Sequence, residues 1–142
     1  MSVSDIMKKK VITADVSISV RKACQIMTKK NVGSLLVTEK DSAVGIMTER
    51  DVIRKVVRTG KDPEILTVKR VMSTPLIVIS PEASVELAVD TLIKNKIKKL
   101  PVVTSEDELV GILSATDIIA NNPRYLKRVA SLMVKRFDLV GG

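Results

Sequence analysis

Apolar residues recur along the chain in short blocks of two kinds. Val20, Ala23, Cys24 and Met27 fall three and four apart, one face of a helix, and Ser19 stands ready to cap it. A helix from Val20 to about Lys30 is predicted. Val11 to Ala14, Ser34 to Thr38 and Val44 to Met47 are compact apolar runs bounded by polar turns, which predicts strands. Val52, Ile53, Val56 and Val57 return to helical spacing. They predict a helix from Glu49 to about Arg58 with these four as its apolar side, ended by Gly60 to Glu64. The order is β-α-β-β-α.

The pattern then repeats. A shift of 65 residues lays Met7 on Met72, Ile12 on Ile77, Val20 on Val85, Ala23 on Ala88 and Val37 on Val102. Past the polar turn Ser105-Glu106-Asp107-Glu108 the shift is 66, laying Gly45 on Gly111 and Asp51 on Asp117. A loop is where an inserted residue disturbs least. The second copy predicts a strand at Leu76 to Ile79 that Pro81 stops, then a Ser84-capped helix holding Val85, Leu87, Ala88, Leu92 and Ile93. Strands at Leu100 to Val103 and Leu109 to Leu113 follow, then a helix from Ala115 to about Ala120, interrupted by Asn121-Asn122-Pro123.

One such unit alone would leave a sheet face bare. The expected fold is therefore α+β: two β-α-β-β-α units, residues 3–60 and 68–121, packed through their sheets into one pseudo-twofold module. Residues 122–142 predict an extra amphipathic basic helix. Val129, Leu132, Met133 and Phe137 form its apolar stripe, with Lys127, Arg128, Lys135 and Arg136 around it. Packing against the module or a second copy is its expected use, ahead of contact with an anionic surface.

Composition narrows the chemistry. The 142 residues suit one compact domain or two small units sharing a core. The longest unbroken apolar run, Leu76 to Ile79, is far too short for a bilayer span, and the N-terminus lacks the pattern of a secretory signal. A cytoplasmic location is expected. A single Cys24 and no histidine leave no internal disulfide, no thiolate metal cluster and no usual acid–base group. The net charge of +8 favours anionic partners, but Tyr125 and Phe137 are too few aromatics to stack single-stranded nucleic acid.

The two copies share one polar signature. Val44-Gly45-Ile46-Met47-Thr48-Glu49-Arg50-Asp51 and Val110-Gly111-Ile112-Leu113-Ser114-Ala115-Thr116-Asp117 each end a strand in a hydroxyl, with a carboxylate three residues on. One reading is structural: the hydroxyl caps the helix and the acid sits at the positive end of its dipole. The other is a ligand site. Helix N–H groups with Thr48 or Ser114 can bind phosphate, Asp51 or Asp117 can accept a ribose diol, and Ala14 and Ile79 can wall a purine.

Taken together, ITADVSISVRKACQIM, NVGSLLV and VGIMTERDV, followed by MSTPLIVISPEASVELAVDTLIKNKIKKLPVV and LVGILSATDI, resemble a tandem pair of CBS (cystathionine β-synthase) domains over roughly residues 3 to 121. The resemblance implies a regulatory binding module and no enzyme. Its expected ligand is AMP, ADP, ATP or S-adenosylmethionine, held in clefts between the units, with no tightly bound cofactor. It implies Asp51 and Asp117 as ribose acceptors, Thr48 and Ser114 near phosphate, and Thr13, Ala14, Ile77 and Ile79 on the base side. Gly33, Ser34, Lys98 and Lys99 would face the ligand. The Lys98-Lys99 pair should make its site prefer phosphate, with Arg50 a possible charge for the other. The resemblance further implies a homodimer and an enzyme or transporter regulated in trans. The rival reading is a non-catalytic adaptor that binds nucleic acid or a protein through its basic surface.

Overall fold

The computed structural model describes the backbone of residues 1–141 and the side chains of residues 1–133. In chain order the elements are α1 (Val3–Ile6), β1 (Thr13–Asp15), α2 (Val20–Lys30), β2 (Ser34–Glu39), β3 (Ser42–Thr48) and α3 (Glu49–Val52), which runs into a π-helical turn, Ile53–Val57. Then come α4 (Val68–Val71), α5 (Val85–Asn95), β4 (Lys99–Val103), β5 (Leu109–Ser114), α6 (Ala115–Asn121), a 3₁₀ turn at Pro123–Tyr125 and α7 (Leu126–Gly141). The fold is mixed α+β. Its contacts divide the chain into two compact units, Val11–Leu76 and a second made of Met1–Lys10 with Ile77 onward.

The first-repeat unit, Val11–Leu76, holds a three-stranded sheet in the order β1-β2-β3, parallel then antiparallel. Leu35, Leu36 and Val37 of β2 are all buried, as a central strand requires. The Ser19 hydroxyl accepts the Lys22 N–H and starts α2, and Asn31 ends it in the left-handed conformation that Asn tolerates. Val20, Ala23 and Met27 of α2 pack with Ala14, Val37, Met47, Val56, Val68 and Val71. The helix after β3 departs from its expected single apolar side. The π turn adds a residue to one loop of helix and rotates the side chains after it. Val56 is buried, whereas Ile53 and Val57 are 60% and 69% exposed.

The second-repeat unit has a two-stranded antiparallel sheet, β4-β5. The strand expected at Leu76 to Ile79 reduces to one parallel bridge, Ile79 to Val102. There the Ile79 N–H donates to the Pro101 carbonyl and the Val103 N–H donates to that of Ile79. Pro75 and Pro81 flank the segment and have no N–H to extend the ladder. Ser84 caps α5, whose buried face is Val85, Ala88, Val89 and Leu92. Leu87 points outward, against expectation. The C-terminal helix packs: Tyr125, Val129 and Leu132 join the same buried cluster, and Arg128 pairs with Asp90 of α5. The side chains of Lys135, Arg136 and Phe137 lie outside the described residues.

Candidate functional site

β3 ends at Thr48 and β5 at Ser114, and each hydroxyl residue is the N-cap of the helix that follows. The Thr48 hydroxyl accepts the Asp51 N–H at 3.1 Å, while Asp51 Oδ2 accepts the Thr48 N–H at 2.9 Å and its hydroxyl at 3.0 Å. Ser114 Oγ accepts the Asp117 N–H at 3.0 Å and Asp117 Oδ2 accepts the Ser114 N–H at 3.3 Å. Both junctions are reciprocal capping boxes.

The second carboxylate oxygens differ. Asp51 Oδ1 accepts the Ser73 hydroxyl at 2.8 Å and lies 3.2 Å from the Lys55 ammonium. Lys55 in turn donates to the Val71 carbonyl at 2.9 Å. Burial pushes the Asp51 carboxyl up. Hydrogen bonds from the Thr48 N–H, Ser73, Lys55 and the Thr48 hydroxyl more than offset that and hold it below the usual carboxylate range. Asp117 is less engaged: its Oδ1 lies 3.5 Å from the exposed Lys8 ammonium.

Ser73 and Lys8 are equivalent residues, one repeat apart, and arrive the same way. Ser73 bridges to Ile46 and Lys8 to Ile112, next to a strand glycine each time. A Cβ on Gly45 would come within 3.0 Å of the Ser73 carbonyl and 2.7 Å of the Met72 sulfur. On Gly111 it would come within 2.9 Å of the Lys8 carbonyl and 2.6 Å of the Met7 sulfur. These glycines let the leading segment cross the strand and deliver a side chain to the aspartate. Sequence reasoning paired Met7 with Met72 and Gly45 with Gly111, but missed Ser73, Lys8 and Lys55 as partners. Lys55, one turn beyond Asp51, was legible. Ser73 and Lys8 needed the fold.

The remaining predicted residues sort by unit. Ser34 is the register partner of Thr48, and Lys99 of Ser114. The Gly33 carbonyl accepts the Glu49 N–H at 3.1 Å and the Lys98 carbonyl accepts the Ala115 N–H at 2.8 Å. Gly33, Ser34, Thr48 and Asp51 thus meet at one junction, and Lys98, Lys99, Ser114 and Asp117 at the other. The charges are opposed. A Cβ on Gly33 would stand 3.5 Å from the Glu49 carboxylate, whereas the second junction has Ala115 in place of Glu49 and two exposed lysines. The base-side residues lie further off. Thr13 and Ala14 pair with Leu36 and Val37, on the side of β2 away from β3. Ala14 and Ile79 are buried in their cores, and Ile77 is partly buried. Arg50 is exposed.

Among the described residues, no group of His, Cys, Asp and Glu is placed to hold a metal ion, and no helix is long and apolar enough to cross a membrane.

Proteins of known structure share this fold. The CBS domain family model matches residues 3–58 and 68–122. An uncharacterized protein of Methanopyrus kandleri is 33% identical over 139 residues, spanning 97% of this chain and 70% of that protein. A CBS domain pair solved in complex with 5′-methylthioadenosine and S-adenosyl-L-methionine superposes with a TM-score of 0.75 at 27% identity, covering 87% of this chain and 97% of that one. A hexameric CBS-CP12 protein from bloom-forming cyanobacteria superposes with a TM-score of 0.74 at 30% identity, covering 89% and 70%. With the same capped junction in both matched stretches, the chain belongs to the CBS domain family as a tandem pair.

Proposed function

We propose that this tandem pair is a non-catalytic regulatory module that binds an adenine nucleotide, AMP, ADP or ATP, or S-adenosylmethionine. The observation that carries the reading is the second junction. There a helix start, the Ser114 hydroxyl and the partly engaged Asp117 carboxylate stand beside Lys99, whose register partner is Ser114. Backbone N–H groups and ammonium groups suit phosphate, and a carboxylate with spare acceptor capacity suits a ribose diol. A solved CBS pair of similar sequence holds two adenosine-containing ligands, which supports the adenine part. The first junction is the weaker site, because Ser73, Lys55 and Thr48 already occupy the Asp51 oxygens and Glu49 opposes an anion. Thr13, Ala14, Ile77 and Ile79 remain the proposed base-side residues.

Calorimetry with AMP, ADP, ATP and S-adenosylmethionine, on protein freed of carried-over ligand, tests the reading. Ribose forms should bind better than deoxyribose forms, and Asp117→Ala should remove that preference. Changing both Lys98 and Lys99 to Ala should weaken AMP while sparing adenosine. Equal binding of the ribose and deoxyribose forms to the unaltered protein would sink the diol assignment. The adaptor reading rests on the +8 charge. It predicts salt-dependent binding to any long polyanion that is indifferent to loss of Asp51 and Asp117.

A further inference from the structure

The segment that leads into the second-repeat unit ends in three lysines, Lys8-Lys9-Lys10. The backbone fixes the first of them. The Lys8 N–H donates to the Ile112 carbonyl and the Ile112 N–H donates to that of Lys8, each at 2.9 Å. Lys8 is thereby seated on the edge of β5 that β4 leaves free. Register partners share one face of a sheet, and so do residues two apart on a strand. Lys8 therefore shares a face with Ile112, Ser114 and Lys99, opposite the buried Leu100 and Leu113. Lys8 and Lys99 stand on either side of β5, roughly 10 Å apart across the sheet.

From that edge the Lys8 ammonium comes within 3.5 Å of Asp117 Oδ1, with its own side chain 71% exposed and that of Asp117 13% exposed. The first repeat has Ser73 at this place, and its hydroxyl donates to Asp51 Oδ1 at 2.8 Å. The Ser73 contact is neutral, short and half-buried. The Lys8 contact is long and lies in water, so an incoming group displaces it readily. The surrounding charge differs as well. Lys8, Lys98 and Lys99 stand around Asp117, whereas the first junction sets Glu49 and Asp51 against Lys55.

The geometry points to Lys8 as the residue that selects the ligand of the second junction: a nucleoside polyphosphate, in preference to a neutral nucleoside or S-adenosylmethionine. The inference rests on the nucleotide reading above and narrows it. A ribose hydroxyl that takes Asp117 Oδ1 displaces the Lys8 ammonium. That ammonium then shares a face with Lys99 and has lost its counter-charge. A phosphate chain supplies the missing negative charge. Adenosine supplies none, and S-adenosylmethionine brings a sulfonium cation and no phosphate. Ribose and phosphate thus help one another to bind through a single side chain.

Calorimetry at low salt, where screening is least, tests this with ATP, adenosine and S-adenosylmethionine as probes. The full chain is compared with Lys8→Ser, the residue of the first repeat, and with Lys8→Arg. On the unaltered chain ATP should bind more tightly than either other probe. Lys8→Ser should weaken ATP about tenfold, the loss of one charged hydrogen bond. It should leave adenosine unchanged or strengthen it by up to about fivefold, the worth of an exposed ion pair. Lys8→Arg should keep the order of the unaltered chain. With Asp117→Ala in place, Lys8→Ser should no longer strengthen adenosine. Lys8 is exposed, so circular dichroism should show its variants folded. ATP binding that is indifferent to Lys8→Ser overturns the inference and leaves the nucleotide reading standing. Equal weakening of ATP and adenosine, or S-adenosylmethionine bound as tightly as ATP, overturns it likewise. Failure of all three probes to bind the unaltered chain removes the nucleotide reading and this inference together.

Discussion

Asp51 carries more of the fold than its sequence neighbourhood suggests. It completes the capping box that Thr48 opens at the start of α3, ties the Ser73 hydroxyl to the junction and holds Lys55. Asp51→Ala should therefore cost about 1–2 kcal/mol, a strong cap plus stranded partners, while Asp117→Ala should cost about 0.5–1 kcal/mol, a cap alone. Urea unfolding of the two variants checks the order, and a larger loss at Asp117 would reverse it. Acid adds a second test. The folded Asp51 carboxyl titrates below its unfolded value of about 4, so its contribution is complete above that pH and is lost as pH falls through the lower folded value. The stability gap between the unaltered protein and Asp51→Asn should be widest near neutrality and narrow on acidification. A gap that does not change with pH would assign the effect to shape, not charge. The Thr48 and Asp51 pairing was legible because both partners sit three residues apart. Ser73 was not, because its partner is 22 residues away and is reached only across Gly45.

At the scale of elements, close backbone crossing and helix packing set the sensitive positions. Gly45→Ala places a methyl against the Ser73 carbonyl, a backbone atom that cannot swing aside. The expected loss is about 1–3 kcal/mol by thermal or urea unfolding, the range for overpacking. Gly111→Ala should behave alike, with Lys8 in the place of Ser73. Leu132 of α7 is buried with Tyr125 and Val129, so Leu132→Ala should cost about 2–5 kcal/mol. Leu87→Ala, on the outer side of α5, should stay within about 0.5 kcal/mol. Both leucines belong to runs with helical periodicity, and only the packing separates them. The starts of α2 and α5 were readable from Ser19 and Ser84 because caps act locally. The π turn was not: it leaves Val56 buried beside Val68 and Val71, contacts that lie beyond the local sequence.

For the molecule as a whole, the homodimer that the family resemblance implies predicts sedimentation at twice the 15.5 kDa chain mass. A monomer at high micromolar concentration would remove that expectation. The amino-acid pattern by itself determined the duplication, the β-α-β-β-α order of the first repeat, the capped junctions at Thr48 and Ser114, and the family. All of these rest on spacings within a few residues, or on one such pattern recurring. Only the tertiary structure decided which leading segment serves which repeat: residues 1–10 lie with the second repeat and α4 with the first. It also decided that Ser73 and Lys55 saturate Asp51 while Asp117 keeps acceptor capacity, and that α7 covers α5. The physical reason is the same in each case. Periodicity and capping act between neighbours along the chain, whereas burial and charge pairing depend on residues far apart in sequence.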